Sequence, residues 1–205
     1  MADNLTELAL VDTFMTALSF RNLLSAVGAK LSKVYVRRTA RRPDPFDESR
    51  ILEFDEVLAA LQPWRLTLKE LSFTMYGMAL PQAVRGIHSL PEFHALEVLW
   101  TQAAFFDFYG YLGPRGDALK STLPASVRQL RLFGYSQLAS GLHGFVEALT
   151  TGQFVHLRSI EIDDQDFELE SELAEELQVV GASFRSAGVA FTVHPINHSE
   201  PDEDP

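Results

Sequence analysis

There is no cysteine among the 205 residues of the chain. That absence removes disulfide frameworks, thiolate metal sites and cysteine nucleophiles together, and it fits an intracellular setting, cytoplasmic or nuclear, better than a secreted one. Long apolar runs are also missing. Near the start, Asp3, Glu7 and Asp12 interrupt the leucines and phenylalanines, so neither a signal-peptide core nor a membrane span is expected, there or later. The sequons at Asn4-Leu5-Thr6 and Asn197-His198-Ser199 are then chance matches. Positive charge is scarce, with 17 Lys and Arg against 28 Asp and Glu, for a net charge of −11. A chain of that charge repels a polyanion, so nucleic acid is not an expected partner.

The charge that is present is unevenly spread. From Thr13 to Pro43 stand Arg21, Lys30, Lys33, Arg37, Arg38, Arg41 and Arg42 with no acid between them, whereas residues 161–205 hold thirteen acids against Arg185 alone. The basic run VRRTARRP reads as a solvated loop and the closing SEPDEDP as a disordered acidic tail. With 46% hydrophobic and 11% aromatic residues, the remainder is rich enough in apolar side chains to build a core.

Self-similarity organises that remainder. Six segments share the form apolar-x-x-apolar-x-apolar: LTELAL at 5–10, LSKVYV at 31–36, LKELSF at 68–73, FHALEV at 93–98, VRQLRL at 127–132 and LRSIEI at 157–162. The alternation that closes each segment predicts a strand with one buried face. VAFTV at 189–193 is a candidate terminal strand. Between them run helical faces: Ile51, Phe54, Val57, Leu58 and Leu61; Leu138, Leu142, Phe145, Val146 and Leu149; Leu169, Leu173, Leu177, Val180 and Phe184. Strands joined by helical crossovers run parallel. Because Lys33, Glu70, Glu97, Arg131 and Glu161 interrupt the apolar positions, one face of the sheet must see water, which excludes a sheet covered on both sides. Leu8 and Leu10, Val34 and Val36, Leu71 and Phe73, Leu96 and Val98, Leu130 and Leu132, and Ile160 and Ile162 are the expected core pairs.

The L-x-x-L-x-L segments with a returning helix resemble the leucine-rich-repeat family. Phrases such as LPASVRQLRLFG and FVHLRSIEI are similar to the C-terminal repeat region of fungal F-box/leucine-rich-repeat proteins. The repeats, 25 to 37 residues long, are irregular, and most copies lack the family's Asn or Cys after the strand. No F-box segment is read before the first strand. The resemblance implies an α/β solenoid over residues 1–194, a curved parallel sheet with helices on its convex side, followed by the tail at 195–205. It further implies a non-catalytic interaction scaffold, with a substrate-holding role of the kind the repeats play in F-box ubiquitin ligases. The concave face would carry Lys33, Tyr35, Arg37, Glu70, Glu97, Arg128, Arg131, Phe133, Arg158 and Glu161. Arg128, Arg131 and Arg158 are expected to gather into one positive patch beside Glu161. The partner that suits such a patch is an acidic or phosphorylated protein segment.

Other motifs weaken on inspection. Gly134-Tyr135-Ser136 runs from a strand into a helix as a hydrolase nucleophile elbow does, which keeps a small serine hydrolase as the alternative. Leu138, however, stands where the elbow needs its second small residue. His194 and His198 are four apart, but Pro195 breaks a shared helical face, so no metal ligand set is read. GPRGDALKS lacks the order of a phosphate-binding loop and reads as a loop between repeats. DDQDFELESELAEE lacks the glycine of a calcium loop, and its acids read as the solvated start of a helix. The aromatic cluster AAFFDFYGYLG at 103–113 reads as core filling rather than an exposed patch. No cofactor is implied.

Overall fold

Extended backbone turns successive side chains to opposite sides, and seven stretches of the chain form strands. A computed structural model describes residues 4–11, 15–39, 52–76, 90–106, 117–133, 138–163 and 171–194. The strands are β1 (Glu7–Val11), β2 (Lys33–Thr39), β3 (Glu70–Tyr76), β4 (Val98–Gln102), β5 (Gln129–Phe133), β6 (Ser159–Asp163) and β7 (Ala190–His194). They make one seven-stranded sheet whose spatial order is the sequence order. Every neighbouring pair is parallel. The fold is therefore α/β with a parallel sheet, as the segment pattern predicts, and the 189–193 stretch supplies the seventh strand.

The register aligns the buried positions into two ladders. One runs Leu8, Val34, Leu71, Leu99, Leu130, Ile160, Phe191; the other runs Leu10, Val36, Phe73, Thr101, Leu132, Ile162, Val193. From Val34 to Ile162 every member is buried, and only Leu8, Phe191 and Val193 at the sheet ends are half-buried. The first apolar residue of each motif forms a third layer, Leu31, Leu68, Leu96, Val127 and Leu157. Each such side chain contributes about 1.5–3 kcal/mol by leaving water.

The fourth segment corrects the sequence reading. Leu99 and Thr101, not Leu96 and Val98, occupy the ladders, so the repeat begins at Leu96 and runs LEVLWT, three residues later than FHALEV. Val98 is half-buried on the opposite face. Phe93 is fully buried too, in the turn before the strand rather than in it. With this frame, the first strand residues Glu7, Lys33, Glu70, Val98, Gln129, Ser159 and Ala190 are 26, 37, 28, 31, 30 and 31 residues apart.

Among the described residues five helices return the chain: α1 (Ala17–Ser25), α2 (Phe54–Leu61), α3 (Asp117–Thr122), α4 (Leu138–Thr150) and α5 (Ser171–Ser186), with short 3₁₀ turns at Gln62–Trp64, Leu90–Glu92 and Ala103–Phe106. Thr16 caps α1, its hydroxyl accepting from the Ser19 N–H at 3.2 Å. Phe20, Leu24, Val57, Leu58, Leu61, Leu142, Phe145, Leu177, Val180 and Phe184 join the ladders in one core cluster. Aromatic pairs tie helix to sheet, Phe54 stacking on Phe73 at 4.9 Å and Phe184 on Phe191 at 5.4 Å. α4 and α5 stop alike. Gly152 and Gly188 adopt φ of 79° and 80°, and the next N–H of each, from Gln153 and Val189, donates back to the carbonyls of Ala148 and Phe184. Contrary to the reading of GPRGDALKS as a loop, its second half enters α3, because Ala118, Leu119 and Lys120 are strong helix formers. Among the described residues no helix is long and apolar enough to cross a membrane.

Candidate binding face

The helices occupy the side of the sheet that bears the ladders, so the alternate strand positions form a second face. The register arranges it in three rows. Nearest the strand starts lie Glu7, Lys33, Glu70, Val98, Gln129, Ser159 and Ala190. The middle row is Ala9, Tyr35, Ser72, Trp100, Arg131, Glu161 and Thr192. The third is Val11, Arg37, Thr74, Phe133, Asp163 and His194, with Gln102 level with Phe133. Seven of the ten residues read from sequence are therefore brought together here: Lys33, Tyr35, Arg37, Glu70, Arg131, Phe133 and Glu161. Phe133 is buried.

Glu97, Arg128 and Arg158 fall outside the strands and form an edge below the first row. A repeated backbone pattern fixes them there. The carbonyl of Ser32 accepts from two consecutive N–H groups, those of Lys69 and Glu70, at 2.7 and 3.0 Å. Those of Lys69, Glu97 and Arg128 do the same for Glu97–Val98, Arg128–Gln129 and Arg158–Ser159. Lys69, Glu97, Arg128 and Arg158 are thus equivalent positions of β3 to β6, at the strand starts.

Two ion clusters hold most of the charge of the face proper. At the β2–β3 end, Glu70 receives the Tyr35 hydroxyl at 2.6 Å on one oxygen and lies 2.6 Å from Lys33 Nζ on the other. Burial pushes the Glu70 carboxyl up, but hydrogen bonds from Lys33 and Tyr35 more than offset this and hold it below the usual carboxylate range. Burial, then the bond to Glu70, pushes the Tyr35 phenol up to about 12. The bond to Glu70 raises the Lys33 ammonium.

At the β5–β6 end, Arg131 grips Asp163 with both prongs of its guanidinium, Nε to Oδ2 at 2.6 Å and the second nitrogen to Oδ1 at 3.0 Å. Glu161 lies 3.8 Å from the same Nε, and His194 Nε2 lies 3.6 Å from Glu161. The guanidinium sits 4.6 Å from the Trp100 ring centre and 5.7 Å from that of Phe133. This overturns the single positive patch expected of Arg128, Arg131 and Arg158. Arg131 stands in mid-face and is neutralised by Asp163, while the other two stand at the edge. No family model matches the chain, and no curated protein or solved structure matches it either.

Trp100 and Asp163 are among the face residues that sequence reasoning missed. The first was hidden by the three-residue shift of β4. The second follows the last apolar residue of its motif, one step beyond the segments compared. Both were findable by pairing Leu96-x-x-Leu99 with Leu157-x-x-Ile160. Among the described residues no group of three or more His, Asp or Glu could hold a metal ion. Ser136, His198 and the Phe108–Tyr111 part of the aromatic cluster lie outside the described residues. The described part of that cluster, Ala103, Phe105 and Phe106, is buried, with Phe105 packed 5.2 and 5.6 Å from Phe54 and Phe73.

Proposed function

We propose that the chain is a leucine-rich-repeat array acting as a non-catalytic protein-interaction scaffold, with the sheet face opposite the described helices, concave in such an array, as its binding surface. The role is that of the substrate-holding repeats of F-box ubiquitin ligases. The observation that carries this reading is the composition of the face. A parallel sheet built from β-α units normally has both sides covered, yet here one side presents Trp100, Tyr35 and Val98 among pre-paired charges. Aromatic anchors in a frame of fixed ion pairs suit recognition of a protein segment, since the anchors supply buried area and the paired charges set register. Seven strands about 4.8 Å apart give a surface roughly 29 Å across, wide enough for an extended segment of about eight residues.

The test compares two surfaces of one protein. Trp100→Ala with Gln129→Glu alters the centre of the face, and Val179→Lys alters the exposed side of α5. Proteins captured from a lysate by the immobilised chain are compared by mass spectrometry. The expected result is a specific set lost from the face variant and kept by the helix variant. Retention of the same set by both would overturn the reading.

A further inference from the structure

The two cations at the heart of the face are already neutralised, Lys33 by Glu70 and Arg131 by Asp163, so they offer an incoming anion little. The edge at the strand starts is different. Lys69, Arg128 and Arg158 are all exposed there. Arg128 has Glu97 at 3.9 Å, and among the described residues neither Lys69 nor Arg158 has an acidic partner. The four residues form a row because the repeated two-to-one carbonyl pattern places them at the same point of successive strands. Two of the exposed large apolar side chains, Leu66 and Val155, lie in the turns that enter β3 and β6.

From this edge we infer that the scaffold binds a phosphorylated serine or threonine in an extended protein segment, with the phosphate held between Arg128 and Arg158. The inference rests on the scaffold reading and names its partner. Adjacent strands are about 4.8 Å apart, so two guanidinium forks flank a single group. A phosphate, with about −1.5 to −2 charge and three acceptor oxygens, satisfies both forks where a carboxylate satisfies one. Lys69 lies two strands from Arg128, about 10 Å, which an extended chain covers in about three residues at 3.3 Å each. The segment therefore carries an acidic residue three positions from the phosphate. Glu97 stands between the two cationic sites and repels acids at the intervening positions. The net charge of −11 does not prevent this, because screening over about 8 Å confines recognition to the local edge.

The probes are fluorescein-labelled libraries of 11-residue peptides centred on phosphoserine, serine or glutamate, read by fluorescence anisotropy against the full chain. The phosphoserine library should bind at least about tenfold more tightly than either other, as two charge-assisted forks require, with acids enriched three positions from the centre. Arg128→Glu with Arg158→Glu, or the milder pair to alanine, should bring phosphoserine binding down to the serine level with circular dichroism unchanged. Lys69→Glu should abolish only the selection for the distant acid. Equal binding of phosphoserine and serine libraries, or phosphoserine binding unmoved in the double variants, overturns the inference. So does equal displacement by a single-stranded oligonucleotide. Serine-library binding that Trp100→Ala removes and the arginine variants spare would leave the scaffold reading standing without this partner. If no library binds the wild-type chain, both fall.

Discussion

Thr101 is the residue at which the pattern of the sheet and the chemistry of the chain disagree. It stands in the second ladder between Phe73 and Leu132, fully buried, and its hydroxyl finds no hydrogen-bond partner among the described residues. An unpaired buried hydroxyl carries a desolvation penalty of about 1–3 kcal/mol. Thr101→Val, which exchanges the hydroxyl for a methyl in nearly the same shape, should therefore raise stability by about 1 kcal/mol in urea denaturation. A loss would show that the hydroxyl is bonded in solution. Tyr35 provides a second residue-level prediction. Its folded pKa, pushed up to about 12, exceeds the unfolded value of about 10. The stability it contributes is present below pH 10 and is lost as pH rises through the folded value. Glu70, depressed, contributes above the ordinary carboxylate range and loses its contribution as pH falls through its folded value. In the folded protein the absorbance difference between wild type and Tyr35→Phe should show almost no phenolate at about pH 10, where an ordinary phenol is half ionised. A component with its midpoint near 10 would sink the assignment.

Among the elements, the contact of α5 with β7 sets the least ordinary requirement. A Cβ on Gly181 would come within 2.6 Å of Phe191 Cδ1 and 3.1 Å of Cε1, and that ring is already stacked on Phe184. Alanine in a helix gains up to about 1 kcal/mol over glycine, but overpacking of about 1–3 kcal/mol outweighs it here. Gly181→Ala should lower the thermal midpoint and speed amide exchange in β7 before β4. A raised midpoint would mean that Phe191 moves freely. Phe191 was legible as part of a terminal strand, yet nothing in the sequence tied it to Gly181, because that pairing is a matter of close approach. The strands, their order and their direction were legible because period-two alternation and helical crossovers constrain both. The frame of β4 was not, since Thr101 breaks the apolar pattern where the correct register needs it, while Phe93, Leu96 and Val98 offer a cleaner pattern in the wrong place. The same shift concealed Trp100. Face membership of Lys33, Tyr35, Glu70, Arg131 and Glu161 followed from alternation alone. The neutralisation of Arg131 did not, because the length of a guanidinium reaching across to the next strand is invisible to spacing.

At the scale of the whole molecule, charge and order act separately. Acids crowd the last quarter of the chain while exposed cations just before β3, β5 and β6 line one edge, so the protein is a negative body with a local positive border. Order is the deeper feature. Each strand pairs only with the one before it and the one after it, so no strand waits for a distant part of the chain to supply its neighbour. On a ribosome, which releases the chain from its N-terminus at about 5–20 residues per second, each unit of about thirty residues emerges beside a finished template and can pack on it at once. The chain can thus be laid down like courses of masonry, each strand added to the edge left by the one before it.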